Sequence, residues 1–310
     1  MEKRVLKASP RGFCFGVNRG IKMLEDTIRR ENCTVYVYKE IVHNIDLVNR
    51  FKSKGVKFVD GIDEIPPGSL VVFSTHGIAP SVEEKAKSLS LRVIDTTCPL
   101  VTKVHKEALR FREEGCTVIL IGDKNHEEVI GVAGEAPDNI LIVWDEKDFD
   151  KLPEIDGSHI AWLSQTTLNC DDTKQTVDRL REKYPLLQDP RSDICYATRN
   201  RQSAVKNIAN ECDLFIVVGS EKSSNTVRLT EVALTAGAAK VIRIDSAEEL
   251  DNVDFSSVST IGITSGVSVT NKLFNSITAR LGETGYNQQE ECVWIVEKDF
   301  EEIAPINLDE

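Results

Sequence analysis

Short apolar runs alternate with amphipathic stretches along most of the chain, and this alternation narrows the possible folds more than any other feature. The runs, three to six residues each, lie at 35–38, 70–74, 93–95, 117–121, 139–144, 160–163, 214–218, 240–244 and 260–263. Their lengths suit strands, and runs such as 117–121 and 214–218 lack polar alternation, as strands buried on both faces of a parallel sheet do. Between the runs, Val17, Ile21, Leu24 and Ile28 fall at helical spacing. Ser81 with Glu84 and Ser246 with Glu249 have the spacing of capping boxes that open further helices. The expectation is an α/β protein with mainly parallel sheets.

A chain of 310 residues has room for two or three compact units. The pattern suggests three α/β units, at 1–97, 98–193 and 194–282, followed by an acidic C-terminal tail at 283–310. That tail holds nine acids and one lysine, so it carries −8 of the chain's net charge of −12. Such a balance disfavours general nucleic-acid binding. The apolar runs fall far short of the roughly 20 residues that span a bilayer. Met1-Glu2-Lys3-Arg4 leads into a strand-like run rather than a signal peptide. The expected compartment is the cytoplasm, with neither membrane nor nucleic acid as a partner.

Eight cysteines are scattered along the chain without any C-x-x-C pair, and no G-x-G-x-x-G or P-loop motif accompanies them. Three stand apart: Arg11-Gly-Phe-Cys14-Phe-Gly, Asp95-Thr-Thr-Cys98-Pro and Asp193-Ile-Cys195-Tyr-Ala-Thr198. Each is read as lying just past a strand end and just before a helix, with Gly12 and Gly16 permitting close approach and Pro99 fitting a first helical position. Three such units around one centre could aim three thiols at a common cofactor. Cys33, Cys116, Cys170, Cys212 and Cys292 read as packing residues. His43, His76 and His126 also follow strand-rich stretches and could donate to an anion, whereas His105 and His159 read as ordinary structural histidines. A third constellation, Gly219-Ser-Glu-Lys-Ser223-Ser224-Asn225-Thr226, leads from a strand into a hydroxyl-rich helix start, a natural phosphate cradle. Gly262-Ile-Thr-Ser265-Gly-Val-Ser268 repeats the theme.

Together these motifs resemble the 4-hydroxy-3-methylbut-2-enyl diphosphate reductase family. The resemblance runs from residue 4 to about 282, through Pro-Arg-Gly-Phe-Cys14, Asp-Thr-Thr-Cys98-Pro-Leu-Val-Thr-Lys-Val-His, Ser-Gln-Thr166-Thr-Leu, Asp-Ile-Cys195-Tyr-Ala-Thr-Arg-Asn-Arg-Gln and Val-Gly-Ser-Glu-Lys-Ser-Ser-Asn225. It implies a trefoil of three α/β units with mainly parallel sheets around a central iron–sulfur cluster. It also implies reductive dehydration of an allylic diphosphate to isopentenyl and dimethylallyl diphosphate, the last step of the methylerythritol phosphate route. The implied cofactor is one 4Fe–4S cluster per chain, held by Cys14, Cys98 and Cys195, with one iron lacking a protein ligand and so open to the substrate's hydroxyl. The implied catalytic residues are Glu128, Thr166 and His126, with Glu128 as proton source. The implied diphosphate ligands are His43, His76, His126, Ser223, Ser224, Asn225 and Ser268, with Thr166 also contacting substrate. A reduced ferredoxin or flavodoxin is the implied electron donor.

Two positions depart from the family pattern. Val269 and Thr270 follow Ser268 where a small residue and proline are usual, and Phe15 follows Cys14 where a small residue is common. Two other functions share the three-cysteine feature: a dehydratase or synthase of the quinolinate synthase kind, and a non-catalytic iron–sulfur sensor. A dicarboxylate substrate would call for arginine forks, and a sensor would need no diphosphate cradle. In the tail, residues 292–296 read as a strand and 299–302 as a solvated charge run.

Overall fold

A computed structural model describes residues 3–155 and 159–297. Its elements are, through residue 113, β1 (Arg4–Ser9), α1 (Phe15–Arg30), β2 (Val35–Tyr38), α2 (Ile45–Ser53), β3 (Lys57–Val59), β4 (Leu70–Phe73), α3 (Pro80–Ser88), β5 (Arg92–Asp95) and α4 (Pro99–Glu113). Next come β6 (Thr117–Ile121), α5 (Glu127–Ala133), β7 (Ile140–Val143), α6 (Glu146–Asp150), β8 (Ile160–Ser164), α7 (Cys170–Lys183) and α8 (Tyr196–Lys206). The remainder is β9 (Leu214–Val218), α9 (Ser224–Thr235), β10 (Val241–Ile244), β11 (Thr260–Ser265), α10 (Asn271–Glu283) and β12 (Gln288–Val293).

The strands form three sheets of order β3-β2-β4-β5, β7-β6-β8 and β10-β9-β11-β1-β12. Every pairing is parallel. As the apolar runs require, each sheet is covered on both faces. Val5, Ile216 and Ile263 enter one core while their neighbours Leu6, Phe215 and Val217 enter another. Val37 and Val72 pack under Leu24 of α1, and Tyr36, Val71 and Phe73 pack on the opposite face. Ile119 and Ile121 alternate with Val118 and Leu120 in the same way. The stripe Val17, Ile21 and Leu24 on α1 is buried, with Ile28 partly so.

The three sheets share one plan. The first strand sits inside, the second pairs on one side, and the third pairs on the other, at β2/β4, β6/β8 and β9/β11. A fourth strand follows the third: β5 in one sheet, β1 in another, and in the β6 sheet a single parallel bridge between Ala161 and Gln188. Strand pairing therefore groups residues differently from the segments 1–97 and 194–282. Strand β1 lies between β11 and β12, so the chain's first strand completes the sheet of its last unit. The tail's strand is β12 at 288–293 rather than 292–296, and it adds an edge to that same sheet. The charge run 299–302 lies outside the described residues.

Local expectations fared unevenly. Helix α3 starts two residues earlier than the Ser81–Glu84 box implied, with Ala79 as N-cap, Pro80 at N1 and no side-chain cap. Proline's fixed φ supplies the start that a serine cap would have supplied. At Ser246, Glu249 does reach back to the backbone N–H, at 3.0 Å, but the element it opens is a short 3-10 turn at Glu248–Asn252. Cys116 and Cys212 are buried, and Cys170 and Cys292 pack against core clusters. Cys33 does not pack; it is exposed, with its sulfur 3.3 Å from an Arg92 nitrogen.

Candidate functional site

In open parallel sheets, ligands bind beyond the carboxyl ends of strands where the strand order switches. Here the six strands flanking the three switch points end just before the six loops that carry the eight expected substrate residues. His43 follows β2, His76 follows β4, His126 follows β6, Thr166 follows β8, Ser223 to Asn225 follow β9, and Ser268 follows β11. Three separate sheets thus deliver their loops to one place.

These residues form a closed circuit. The rings of His43 and His76 stack with centroids 4.6 Å apart, and His126 meets them edge-on at 6.1 and 5.7 Å. His126 caps α5, its Nδ1 accepting the Glu128 N–H at 3.2 Å. Glu128 in turn accepts the Thr166 N–H at 2.6 Å and the Thr166 hydroxyl at 2.9 Å. The next residue, Thr167, contacts Ser224 Oγ at 3.0 Å, and Asn225 Oδ1 accepts the Val267 N–H at 3.1 Å. The circuit closes where Asn44, beside His43, donates to the Ser268 carbonyl at 2.7 Å.

The electrostatics suit an anion and a proton donor. Burial pushes His126 down to about 3, with His76 and His43 adding repulsion, and burial likewise lowers His76. His126 is therefore neutral, and because Nδ1 accepts, its proton sits on Nε2 as a donor. Glu40 backs His43 at 3.2 Å and Glu127 backs His76 at 3.1 Å. Burial raises Glu128 to about 7 even though Thr166 bonds to both carboxylate oxygens. A carboxylic acid that keeps its proton near neutral pH is what general acid catalysis needs. On the other side of the circuit Asn225 Nδ2 and Ser268 Oγ are buried without a hydrogen-bond partner among the described residues. Buried donors left unpaired are costly, and a bound anion would satisfy them.

Two predictions follow from these groups. Across about pH 5 to 8, the window in which an ordinary histidine titrates, the His126 ring of the free protein stays neutral as an Nε2–H tautomer; a ring-nitrogen NMR titration with a midpoint inside that window would contradict it. Ser268→Ala removes a hydroxyl that has no partner among the described residues. Thermal stability should change little, while the KM for a diphosphate substrate rises about tenfold or more, the worth of a hydrogen bond to a charged group. An unchanged KM would remove Ser268 from the site.

The three thiols share a local structure. Cys14, Cys98 and Cys195 are the N-caps of α1, α4 and α8. Cys14 and Cys98 follow strands β1 and β5. Cys195 follows instead the loop that leaves the Gln188 bridge, because that sheet's fourth strand is reduced to one residue pair. Burial raises Cys98 to about 11 and Cys195 to about 12, and each is raised further by Cys14. Backbone N–H groups of the first helical turns pull the other way: those of Leu100 and Val101 toward Cys98, and that of Thr198 toward Cys195 at 3.4 Å. A β-carbon at Gly16 would stand 2.5 Å from Cys98 Sγ, so α1 can reach this position only with glycine there. Among the described residues no set of three or more His, Cys, Asp or Glu side chains is spaced to hold a single metal ion. Thiols that act on one another and are aimed by helix starts, with Cys98 and Cys195 held protonated by burial, suit a larger group whose binding expels protons.

Some members of the site carried no sequence signal of their own. Gln165 bonds Thr167 and Ser224 and accepts the Asp123 N–H. Asn44 and Glu127 act through neighbours brought by other strands, and Glu40 through His43 three positions along its own loop. His105, on α4, is nearly buried, with Nδ1 on Glu135 at 2.7 Å, and His159 is exposed; neither joins the circuit.

A protein-family model described as "LytB protein" matches residues 5–282. Named relatives include a 4-hydroxy-3-methylbut-2-enyl diphosphate reductase of Rhodococcus jostii, 53% identical over 287 residues, covering 92% of this chain and 85% of the relative. One from Tropheryma whipplei is 50% identical, covering 96% of this chain and 95% of the relative. Among solved structures, the E-1-hydroxy-2-methyl-but-2-enyl-4-diphosphate reductase of Plasmodium falciparum is similar with a TM-score of 0.92 at 34% identity, over 96% of this chain and 94% of that one. A second, a (E)-4-hydroxy-3-methyl-but-2-enyl diphosphate reductase described as the terminal enzyme of the non-mevalonate pathway, has a TM-score of 0.64 at 33% identity, over 91% and 99%.

Proposed function

The chain belongs to the LytB family of 4-hydroxy-3-methylbut-2-enyl diphosphate reductases, and from that membership we propose how its own residues divide the work of the reaction. The reaction is reductive dehydration of the allylic diphosphate to isopentenyl and dimethylallyl diphosphate, the last step of the non-mevalonate route. Two electrons and two protons enter, and water leaves. The dehydratase and sensor alternatives find no support in the comparisons.

The family uses an iron–sulfur cluster. The residues that fit it are Cys14, Cys98 and Cys195, three convergent N-cap thiols, and we assign them a 4Fe–4S cluster with one iron free of protein ligands. When bound, the cluster supplies electrons and a Lewis-acidic iron. A reduced ferredoxin or flavodoxin is the proposed source of those electrons.

The protein's own groups do the rest. His43, His76 and His126 offer ring N–H donors to the diphosphate from one side, His126 as its neutral Nε2–H tautomer. Ser223, Ser224, Asn225 and Ser268 meet it from the other, where Asn225 Nδ2 and Ser268 Oγ lack partners among the described residues. Ser223 caps α9, so the helix's positive end faces the same space. Glu128 holds the proton for the departing hydroxyl. Its Oε1 accepts the Thr166 N–H, and with the acid proton on Oε2 the 2.9 Å contact to Thr166 reverses, the carboxyl donating and the hydroxyl accepting. Thr166 is thus positioned to pass that proton or to orient the substrate's oxygen.

The observation that carries this reading is a buried, neutral Glu128 in the same circuit as unpartnered anion donors. The test is an anaerobic assay of the reconstituted protein with the allylic diphosphate and a reduced dye, scored by both five-carbon products and by iron content. About four irons per chain with formation of both products supports it; iron without product counts against the assigned residues.

A further inference from the structure

Beyond β12 the chain continues through Trp294, Ile295 and Val296 to Glu297, which answers a charge 96 positions away. Arg201 of α8 is 1% exposed. Its one carboxylate partner among the described residues is Glu297, whose two oxygens each lie 3.2 Å from Nη1. Asn200 donates to the same carboxylate at 3.0 Å. The remaining bonds of the guanidinium go to backbone carbonyls, that of Ala197 in its own helix and that of Gly12, both at 3.0 Å.

Gly12 belongs to the short stretch between β1 and Cys14, which has no helix or sheet pairing of its own. The C-terminal segment grips this stretch at a second point and the end of β1 at a third. Glu291 takes both arms of the Arg11 guanidinium at 2.7 and 2.8 Å. The Trp294 N–H donates to the Ser9 carbonyl at 2.9 Å. A buried guanidinium is expensive without a countercharge, so Glu297 is an integral part of the fold rather than a solvated appendage.

We propose that residues 291–297 form a clamp on the Cys14 loop. Glu297 acts through Arg201, and Glu291 through Arg11, as positioning residues that hold the Cys14 thiol toward Cys98 and Cys195. The functional consequence rests on the reading of Cys14 as a cluster ligand. The clamp explains why an acidic segment outside the matched region 5–282 is tied by two arginines to the first cysteine's loop.

The test uses the full chain with Glu297→Gln, and with Glu291→Gln and Glu297→Gln combined. In the metal-free protein, alkylation of Cys14, Cys98 and Cys195 by iodoacetamide is followed by mass spectrometry of each peptide. In the reconstituted protein, iron release to a chelator is followed by absorbance. Cys14 is expected to react about tenfold faster than in the unsubstituted chain while Cys98 does not, as local opening of a loop that has lost a charged tie predicts. Iron release should quicken in parallel. Unchanged Cys14 reactivity, or equal acceleration at all three thiols, would overturn the clamp. If the unsubstituted chain takes up no iron yet Cys14 alone is exposed by the substitutions, the clamp stands and the ligand assignment falls. Iron uptake with Cys14 unaffected has the opposite meaning.

Discussion

Glu128→Gln should abolish most turnover while making the metal-free protein more stable above neutral pH. Glutamine keeps the shape of the side chain and can still accept the Thr166 N–H, but it has no proton to give. Loss of general acid catalysis is worth about 10²–10⁴ in rate. The stability effect follows from burial, which raises Glu128 from 4.5 to about 7. Below the unfolded value both states are protonated and the group costs nothing. As pH rises from 4.5 toward 7 the unfolded chain releases the proton first, so stability falls and is lowest above the folded value. A shift of that size corresponds to up to about 3 kcal/mol. Denaturant unfolding at pH 8 should therefore favour the variant, with the difference vanishing near pH 4. Wild-type turnover in Glu128→Gln would remove its catalytic role; a variant less stable at pH 8 would show that the fold does not raise the carboxyl above its unfolded value.

The second large effect concerns the thiols. Cys98→Ser should yield folded, nearly colourless protein with little iron and no turnover. Folding should survive because serine is a better N-cap than cysteine, and Pro99 at N1 still starts α4. Iron binding should not survive, since two thiolates remain where three converge. Cys33→Ser is the matched control, because Cys33 is exposed and lies outside the site; it should keep colour and activity. A visible spectrum unchanged in Cys98→Ser would exclude that residue as a ligand.

Much of this was legible along the chain. The apolar runs became strands of parallel sheets with both faces covered, and the Val17, Ile21 and Leu24 stripe became the buried face of α1. Ser223 could be read as a cap from its neighbours alone. Failures came where a local signal competed with something nearby or distant. Pro80 took over the start of α3 from Ser81. Strand β1 paired with β11, more than 250 positions away, rather than with the strands that follow it. The expected strand at 292–296 shifted to 288–293 because its register is set by β1. Gln165, Asn44 and Arg201 belong to the site or its support through partners that no spacing rule connects.

Periodicity, caps and turn residues act within about four positions, so the sequence by itself determined the kinds of element, the helix starts at Cys14 and Cys98, and the residue types available for chemistry. The tertiary structure alone decided which loops meet, that Glu128 is buried to 2% exposure with its acid proton retained, and that Glu297 neutralises Arg201. Strand pairing, desolvation and burial of charge depend on groups far apart in the chain, and those groups acquire neighbours only when the three sheets come together.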